Sequence, residues 1–218
     1  MITVDDVIAA RGRIRSGIYE SPCVESIPLS ELTGAHIYCK LDYLQRTGSF
    51  KERGARNALL MLSPEQHRRG VIAASAGNHA QGLSYHGRRL GLPVTIVMPK
   101  TTPTIKVMQT ESVGGTVVLY GETFDEAYAH ARQLEGELGL TFIHPFDDPH
   151  IIEGQATVGV EILEELHNVD YLFVPVGGGG LASGVCTYFK TYSPKTKIIG
   201  VEPECAPSLY KAFEAGKP

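Results

Sequence analysis

Residues 171–184 read YLFVPVGGGGLASG, an apolar run followed by four consecutive glycines and then by small residues. An apolar run without a polar face is typical of a parallel strand that is buried between helices. Consecutive glycines after such a strand leave backbone N–H groups free to converge on an anion, and a helix N-terminus strengthens the attraction. The stretch therefore predicts a strand, a phosphate-binding loop and a helix, because a tight turn alone seldom needs four glycines.

The same alternation extends outward through the chain. Further short apolar runs occupy residues 71–74, 94–98, 116–120 and 198–201. The predicted helices are 78–90, 103–113 with Thr102 as N-cap and Gly114 as stop, a helix from the capping box of Thr123 and Glu126 to about Leu138, and 151–166. Alternating strands and helices predict a doubly wound α/β fold with mainly parallel sheets and a ligand site at the carboxyl ends of the strands.

The composition excludes several classes of function. The 218 residues include 20 Lys and Arg against 24 Asp and Glu, a net charge of −4, so nothing points to nucleic acid or an anionic membrane as a partner. The four cysteines are scattered, which indicates neither a zinc site nor a disulfide framework. Without a signal-peptide pattern or a membrane-length apolar run, a cytoplasmic protein is expected. Twenty-four glycines without a repeat period indicate close backbone approaches at several places.

The spacing of the elements predicts two domains. Residues 68–149 carry three strands with their helices, enough for a small sheet of their own. We therefore expect a small inserted domain at 68–149 and a large cofactor-binding domain made from 1–67 and 150–218.

Two further loops carry reactive side chains. Residues 47–55, TGSFKERGA, place Lys51 at the start of a helix, where it is either a solvated side chain or an amine for a Schiff base with an aldehyde cofactor. Residues 75–82, SAGNHAQG, follow the first buried strand, and Ser75 and Asn78 suit a carboxylate or phenolate oxygen or else act as a helix N-cap. The glycine loop also fits a dinucleotide fingerprint with Glu202 on the ribose, so a nicotinamide cofactor is open at this point.

Taken in order, GSFK at 48–51, SAGNH at 75–79 and GGGG at 177–180 resemble the fold-type II pyridoxal-phosphate enzymes, in the threonine/serine dehydratase (ammonia-lyase) branch. The resemblance runs from about Val4 to the end of the chain, and it displaces the nicotinamide reading, which gives no reason for the lysine segment. It implies a tryptophan synthase β-like fold whose large domain is incomplete at the C-terminus. It also implies pyridoxal 5′-phosphate as cofactor, a small amino-acid substrate and a homo-oligomer.

The resemblance assigns a role to each motif. Lys51 would hold pyridoxal phosphate as a Schiff base and later remove the substrate α proton, while Phe50 would pack on the pyridine face. Asn78 would bond the 3′ oxygen of the cofactor, and Ser75 with the backbone around Asn78 and His79 would receive the substrate carboxylate. The implied phosphate contacts are Gly177, Gly178, Gly179, Gly180 and Leu181.

The implied reaction is β-elimination of L-threonine, or L-serine, to 2-oxobutanoate, or pyruvate, and ammonia. One alternative is an amino-acid racemase with eliminase side activity, although the family's racemases have a serine where Ala76 stands. Another is a non-catalytic cofactor-binding fragment, because no segment after Glu202 would reach the pyridine nitrogen. Glu202 and the Ala206 carbonyl match two cation ligands of some family members, but Ser208 replaces the third, so no metal is expected.

Overall fold

The computed structural model describes residues 1–217, which form an α/β fold with three separate sheets. The strands are β1 (Cys23–Glu25), β2 (Tyr38–Lys40), β3 (Val71–Ala74), β4 (Val94–Met98), β5 (Thr116–Leu119), β6 (Thr141–Phe142), β7 (Tyr171–Pro175) and β8 (Lys197–Val201). The helices are α1 (Val4–Ile14), α2 (Ile27–Thr33), α3 (Lys51–Leu60), α4 (Pro64–Arg69), α5 (Asn78–Leu90), α6 (Thr104–Ser112), α7 (Phe124–Leu138), α8 (Pro149–Glu165), α9 (Gly180–Tyr192) and α10 (Ser208–Ala215). Short 3-10 helices cover Arg15–Gly17 and Asp42–Leu44.

The predicted parallel sheets are confirmed. Strands β5, β4, β3 and β6 form one parallel sheet in that order, and β7 pairs with β8 in parallel. Side chains of β3 and β4 alternate between two cores, since Val71 and Ala73 pack beside α3 and α5 whereas Ile72 packs beside α7. Helices on both faces of the sheet make the fold doubly wound. The antiparallel pair β1 and β2 and the two-residue β6 were not predicted, because such short strands show no periodicity.

Helix ends test the predicted capping signals. The Thr123 hydroxyl accepts the Glu126 N–H, which confirms that capping box. Thr102 is not an N-cap, because α6 begins at Thr104 after Pro103, whose side chain offers no acceptor. Helix α8 begins two residues earlier than predicted, because Asp148 caps its first turn and a proline follows.

The apolar runs of β7 and β8 predicted a sheet buried on both faces. Within residues 1–217 this second sheet is covered on one face and open on the other. Leu172, Val174 and Ile198 pack against α8 and α9. Phe173 is 61% exposed and Val201 is 50% exposed, since no element within residues 1–217 covers the opposite face. The alternation of β7 and β8 therefore separates one covered face from one open face.

The predicted domain boundary crosses a shared core. The four-stranded sheet lies within 71–142, but its core cluster also contains Ala55 and Leu59 of α3 and Ile151 of α8. The two-domain division stays a prediction, and its final residue, Pro218, lies outside the described residues. No helix in the described part of the chain has both the length and the apolar character that crossing a bilayer requires.

Glycines let three helices approach one another closely. A methyl group at Gly54 of α3 would lie 2.7 Å from the Ile151 carbonyl oxygen of α8. One at Gly184 of α9 would lie 2.7 Å from the Ile152 carbonyl oxygen, also on α8. Part of the glycine excess therefore serves close packing of α3, α8 and α9.

The close contact between α3 and α8 predicts that two Gly to Ala substitutions change the free energy of unfolding in opposite directions. Gly154→Ala should destabilise the chain by about 2 kcal/mol, because the added methyl would lie 2.6 Å from the Arg53 carbonyl oxygen. Gly136→Ala in α7 should stabilise it by about 0.5 kcal/mol, because the methyl meets open space and alanine favours helix. Urea unfolding of both variants measures the difference, and equal midpoints would contradict the close packing.

Candidate functional site

The glycine loop joins β7 to α9 and leaves an open space above it. Gly179 has φ +83°, a left-handed conformation that favours glycine, and α9 begins at the next residue. A methyl group at Gly177 or Gly179 would meet no atom within 4 Å, whereas one at Gly178 would overlap the ring of Phe146. The missing side chains thus leave room beside the N-terminus of α9, where backbone N–H groups attract anions.

Lys51 shares a cavity of about 250 Å³ with this loop. The cavity is lined by Phe50, Lys51, Phe146, Pro175, Val176, Gly177, Gly178, Gly179, Gly180 and Leu181. Two of the three sequence motifs therefore meet in one cavity. Phe146 belongs to neither, and its position in a loop between predicted elements gave no signal of such a role.

The Lys51 amine is held on one side of the cavity. Its Nζ donates to the Pro145 carbonyl oxygen at 2.7 Å and lies 5.5 Å from the ring centroid of Phe50. Burial lowers the pKa of Lys51 to about 8, because a low-dielectric environment disfavours the ammonium form. An amine with this pKa is a better nucleophile and base near neutral pH than a solvated lysine. The solvated alternative for Lys51 is therefore wrong.

A buried ion-pair network fixes the first turn of α3, next to Lys51. The Arg53 guanidinium is fully buried and bonds Asp42 at 2.7 and 2.8 Å and Glu161 at 2.6 and 2.8 Å. Burial alone would raise the pKa of Asp42, but hydrogen bonds and charge from Arg53 hold it below its ordinary value. A charged residue at a helix start is usually solvated, so Arg53 was not predicted as part of the site.

Glu52 ties the loop before Lys51 to α5. Its carboxylate accepts the backbone N–H of Thr47 and bonds His86 Nε2 at 3.1 Å. Burial lowers the pKa of His86, against the opposing effect of Glu52. A neutral His86 donating from Nε2 therefore links α5 to α3.

The third motif lies at the N-terminus of α5. Gly77 occupies the capping position without a side-chain cap, so the N-cap alternative for Ser75 and Asn78 is wrong. The Ser75 hydroxyl accepts the Gly77 N–H at 3.2 Å, and Asn78 is exposed. The His79 ring is buried and bonds the Ile143 carbonyl oxygen at 3.1 Å, and burial lowers its pKa to about 3. Only the backbone of His79 remains available to a substrate.

Glu202 caps the last helix. Its carboxylate accepts the N–H groups of Leu209 at 2.8 Å and Tyr210 at 2.9 Å, which lowers the pKa of the carboxyl group. The Ser208 hydroxyl lies 3.1 Å from both Glu202 Oε1 and the Gly177 carbonyl oxygen. Residues 1–217 contain no group of three His, Cys, Asp or Glu side chains suited to a cation, and the match of Glu202 and the Ala206 carbonyl to cation ligands is not tested by this finding.

A family model described as pyridoxal-phosphate dependent enzyme matches residues 14–218. The chain belongs to that family. The nicotinamide alternative is therefore wrong, and the fold class and the cofactor predicted from the three motifs are confirmed.

Several pyridoxal-phosphate dependent enzymes are closely similar to the chain. An L-threonine ammonia-lyase of Thermotoga maritima is 46% identical over 217 residues, which cover 100% of this chain and 54% of that protein. The structure of a processed threonine deaminase isoform 2 of Solanum lycopersicum has 46% identity and a TM-score of 0.92, covering 99% of this chain and 64% of that one. A serine racemase of Dictyostelium discoideum has 36% identity and a TM-score of 0.93, covering 99% and 70%. The chain thus spans about half the length of the curated relative.

The residues present fit pyridoxal phosphate. The aldehyde needs an amine that can lose its proton, and Lys51 supplies one in the cavity. The phosphate needs backbone N–H groups in open space, and the glycine loop leaves that space empty of side chains. No side-chain carboxylate lines the cavity to repel the phosphate.

The low pKa of Lys51 predicts its chemical reactivity. Acylation of the protein with acetic anhydride across a pH series should give a midpoint of about 8 for Lys51, because burial and not a neighbouring charge sets its proton affinity. Mass spectrometry resolves Lys51 from the other lysines, which serve as the internal reference. A midpoint near the ordinary 10.5 would contradict the burial of the amine.

Removal of Arg53 should show a pH-dependent loss of stability. Arg53→Leu should cost about 3 kcal/mol or more at about pH 7, because the buried Asp42 carboxylate loses its cationic partner and the buried Glu161 carboxylate keeps Lys40 and Arg11 but loses two hydrogen bonds. In the variant the pKa of Asp42 should rise above its unfolded value, so the deficit should shrink toward about pH 5, where the wild type still keeps this carboxylate ionised. Urea unfolding at both pH values measures this change, with the exposed Arg68→Leu as the control.

Proposed function

We propose that this chain carries the cofactor and lysine site of an ammonia-lyase that eliminates water from L-threonine, or from L-serine, and releases the 2-oxo acid and ammonia. The observation that carries the proposal is the partly buried Lys51 amine, with a pKa of about 8, facing the glycine loop across one cavity. The names of the Thermotoga and Solanum relatives support the reaction class.

Each site residue would contact a different part of the cofactor. Lys51 would bind the aldehyde carbon and Phe50 would lie against the ring. Asn78 would bond the 3′ oxygen, and Ser75 with the backbone at His79 would receive the substrate carboxylate. The phosphate would be held by the backbone of Gly177, Gly178, Gly179, Gly180 and Leu181, with the help of the α9 dipole.

The chain's own groups then perform the proton chemistry. Bound pyridoxal phosphate supplies an electron sink for the charge that develops at the substrate α carbon. Lys51, in its uncharged form, removes the α proton as general base. The Pro145 carbonyl accepts a hydrogen bond from the resulting ammonium, as it does from Lys51 in this structure. Phe50 and Phe146 make part of the cavity wall apolar, which limits access of water.

Racemisation is the second candidate, favoured by the similarity to the Dictyostelium serine racemase. Reprotonation from the opposite face needs an acid on the loop that follows β3. Ala76 stands there, packed against the core beside β3, and its methyl group carries no proton to give. Ala76 therefore supports elimination over racemisation. A non-catalytic cofactor-binding role of this 218-residue chain is the third candidate.

We also propose the wider organisation of the protein. Residues 68–149 would form a small domain inserted into a large cofactor-binding domain, and the protein would work as a cytoplasmic homo-oligomer on a free amino acid. The continuous four-stranded sheet within 71–142 supports the first of these points.

Cofactor attachment tests the proposal directly. The purified chain mixed with pyridoxal phosphate and reduced with borohydride should carry the cofactor on Lys51, as located by mass spectrometry, because that amine alone lines the cavity. Lys51→Ala should carry none there, and Lys106→Ala, on the exposed face of α6, should behave as wild type. Wild-type protein without attachment at Lys51 would refute the cofactor role.

Product analysis separates the three functions. With L-threonine the loaded chain should form 2-oxobutanoate, and the recovered threonine should keep its configuration, because Ala76 offers no acid to the second face. Inverted substrate would favour the racemase. Attachment at Lys51 without any product would favour the non-catalytic alternative.

A further inference from the structure

The segment from residue 143 to residue 148 contacts each side of the site. The Pro145 carbonyl accepts the hydrogen bond of Lys51 Nζ at 2.7 Å, and the ring of Phe146 lies against the glycine loop at Gly178. The Ile143 carbonyl accepts the hydrogen bond of His79, from the third motif. This one segment therefore contacts Lys51, the glycine loop and the third motif.

Regular backbone hydrogen bonds do not hold this segment between residues 144 and 147. None of the N–H groups of residues 144–147 donates to a backbone carbonyl within residues 1–217. The N–H groups of Phe146 and Asp147 instead donate to Nδ1 of His144, at 3.3 and 2.8 Å. One imidazole nitrogen therefore replaces the backbone acceptor that a turn would ordinarily use.

The imidazole itself is held by aromatic neighbours. Its ring packs edge-on against Phe146 with centroids 4.6 Å apart, and Tyr128 and Phe142 lie at 6.5 and 6.4 Å. An Nδ1 that accepts two N–H groups has no proton of its own, so the ring must be neutral with its proton on Nε2.

The charges around His144 agree with a neutral ring. Burial lowers its pKa, and the positive charges of Lys51 and Arg132 act in the same direction. Asp147 and Asp148 oppose this effect without reversing it. The geometry and the surroundings therefore agree on Nδ1 as a permanent acceptor near neutral pH.

We propose that His144 is a positioning residue of the site: by accepting the N–H groups of Phe146 and Asp147 it holds the turn that places the Pro145 carbonyl on Lys51 and the Phe146 ring on the glycine loop. The meaning of this role in catalysis rests on the proposed function, but the effect of His144 on Lys51 can be measured without cofactor. His144 does not line the cavity, and its hydrogen bonds go to Phe146 and Asp147, so it acts through its neighbours.

A matched pair of variants isolates the acceptor. Asn and Leu both branch at Cγ and have similar size, but only Asn carries an acceptor bonded to Cγ, as Nδ1 is in histidine. His144→Asn should therefore preserve the turn, because asparagine readily accepts the N–H two residues on. His144→Leu should lose it. His167→Leu, an exposed histidine beyond the C-terminal end of α8, is the control for loss of an imidazole.

Amide hydrogen exchange and the acylation midpoint of Lys51, both measured on the chain without cofactor, distinguish the variants. In His144→Leu the amides of Phe146 and Asp147 should exchange hydrogen about tenfold faster than in wild type, as expected for loss of a hydrogen bond. The acylation midpoint of Lys51 should rise by about one unit, because a released turn admits water to the amine. His144→Asn and His167→Leu should match wild type in both. Should His144→Leu fail to fold, His144→Gln, whose acceptor is one methylene farther out, should show the same two changes.

The outcomes separate positioning from mere stability. A Lys51 midpoint that stays at the wild-type value in His144→Leu would overturn the proposal, even with faster amide exchange, and so would failure of His144→Asn to restore it. Cofactor attachment to the wild type is scored in parallel. If no cofactor attaches while the Lys51 midpoint moves in Leu and not in Asn, the proposed function fails and the role of His144 stands.

Discussion

The position of the reactive lysine depends on one buried guanidinium. Arg53 lies two residues after Lys51 and bonds carboxylates from two other segments of the chain, Asp42 before α3 and Glu161 near the end of α8. A buried charge pair is costly to desolvate, so its value lies less in net stability than in geometry, because a bidentate fork admits few orientations of the helix that carries it. The N-terminal turn of α3 is thus fixed in rotation, and with it the direction in which Lys51 leaves the helix.

Close helix packing also fixes the position of α3, in addition to the ion pairs of Arg53. Gly54, Gly154 and Gly184 let the backbones of α3, α8 and α9 touch, so the helix that carries Lys51 and the helix that follows the glycine loop are both packed against α8. The positions of both sides of the cavity therefore depend on their packing against the same helix, α8. The Glu52 carboxylate and the neutral His86 ring also tie α3 to α5, which carries the third motif. The cavity is a consequence of how these helices pack rather than of the loops alone.

The parts that sequence predicts well are those that local rules govern. The five longer strands, the start of α5 at Asn78 and the Thr123 capping box follow from periodicity, glycine placement and capping chemistry. Lys51 could be placed in one site with the glycine loop only through the resemblance of the three ordered motifs to the pyridoxal-phosphate enzymes, because Lys51 follows no strand of the parallel sheets. Arg53, Pro145 and His144 could not be found from local rules, because their roles depend on partners far away in sequence or on a single side-chain acceptor in a loop.

The open face of β7 and β8 was missed for a related reason: an apolar run does not say what covers it. Roles of Ser75, Asn78 and His79 toward a substrate remain predictions.

The large sequence separation between Arg53 and Glu161 also affects how the nascent chain folds. Its second carboxylate, on Glu161, is 108 residues farther along the chain. A nascent chain that already contains Lys51 and the four-stranded sheet still lacks the partner that fixes the start of α3, since strand β6 ends at Phe142 and α8 follows it. Until α8 has emerged and folded back, Arg53 has one carboxylate and water instead of two carboxylates. The lysine therefore acquires its final orientation late, in the same step that brings α8 against α3, so that a well-formed amine site marks a chain in which these distant segments have already met.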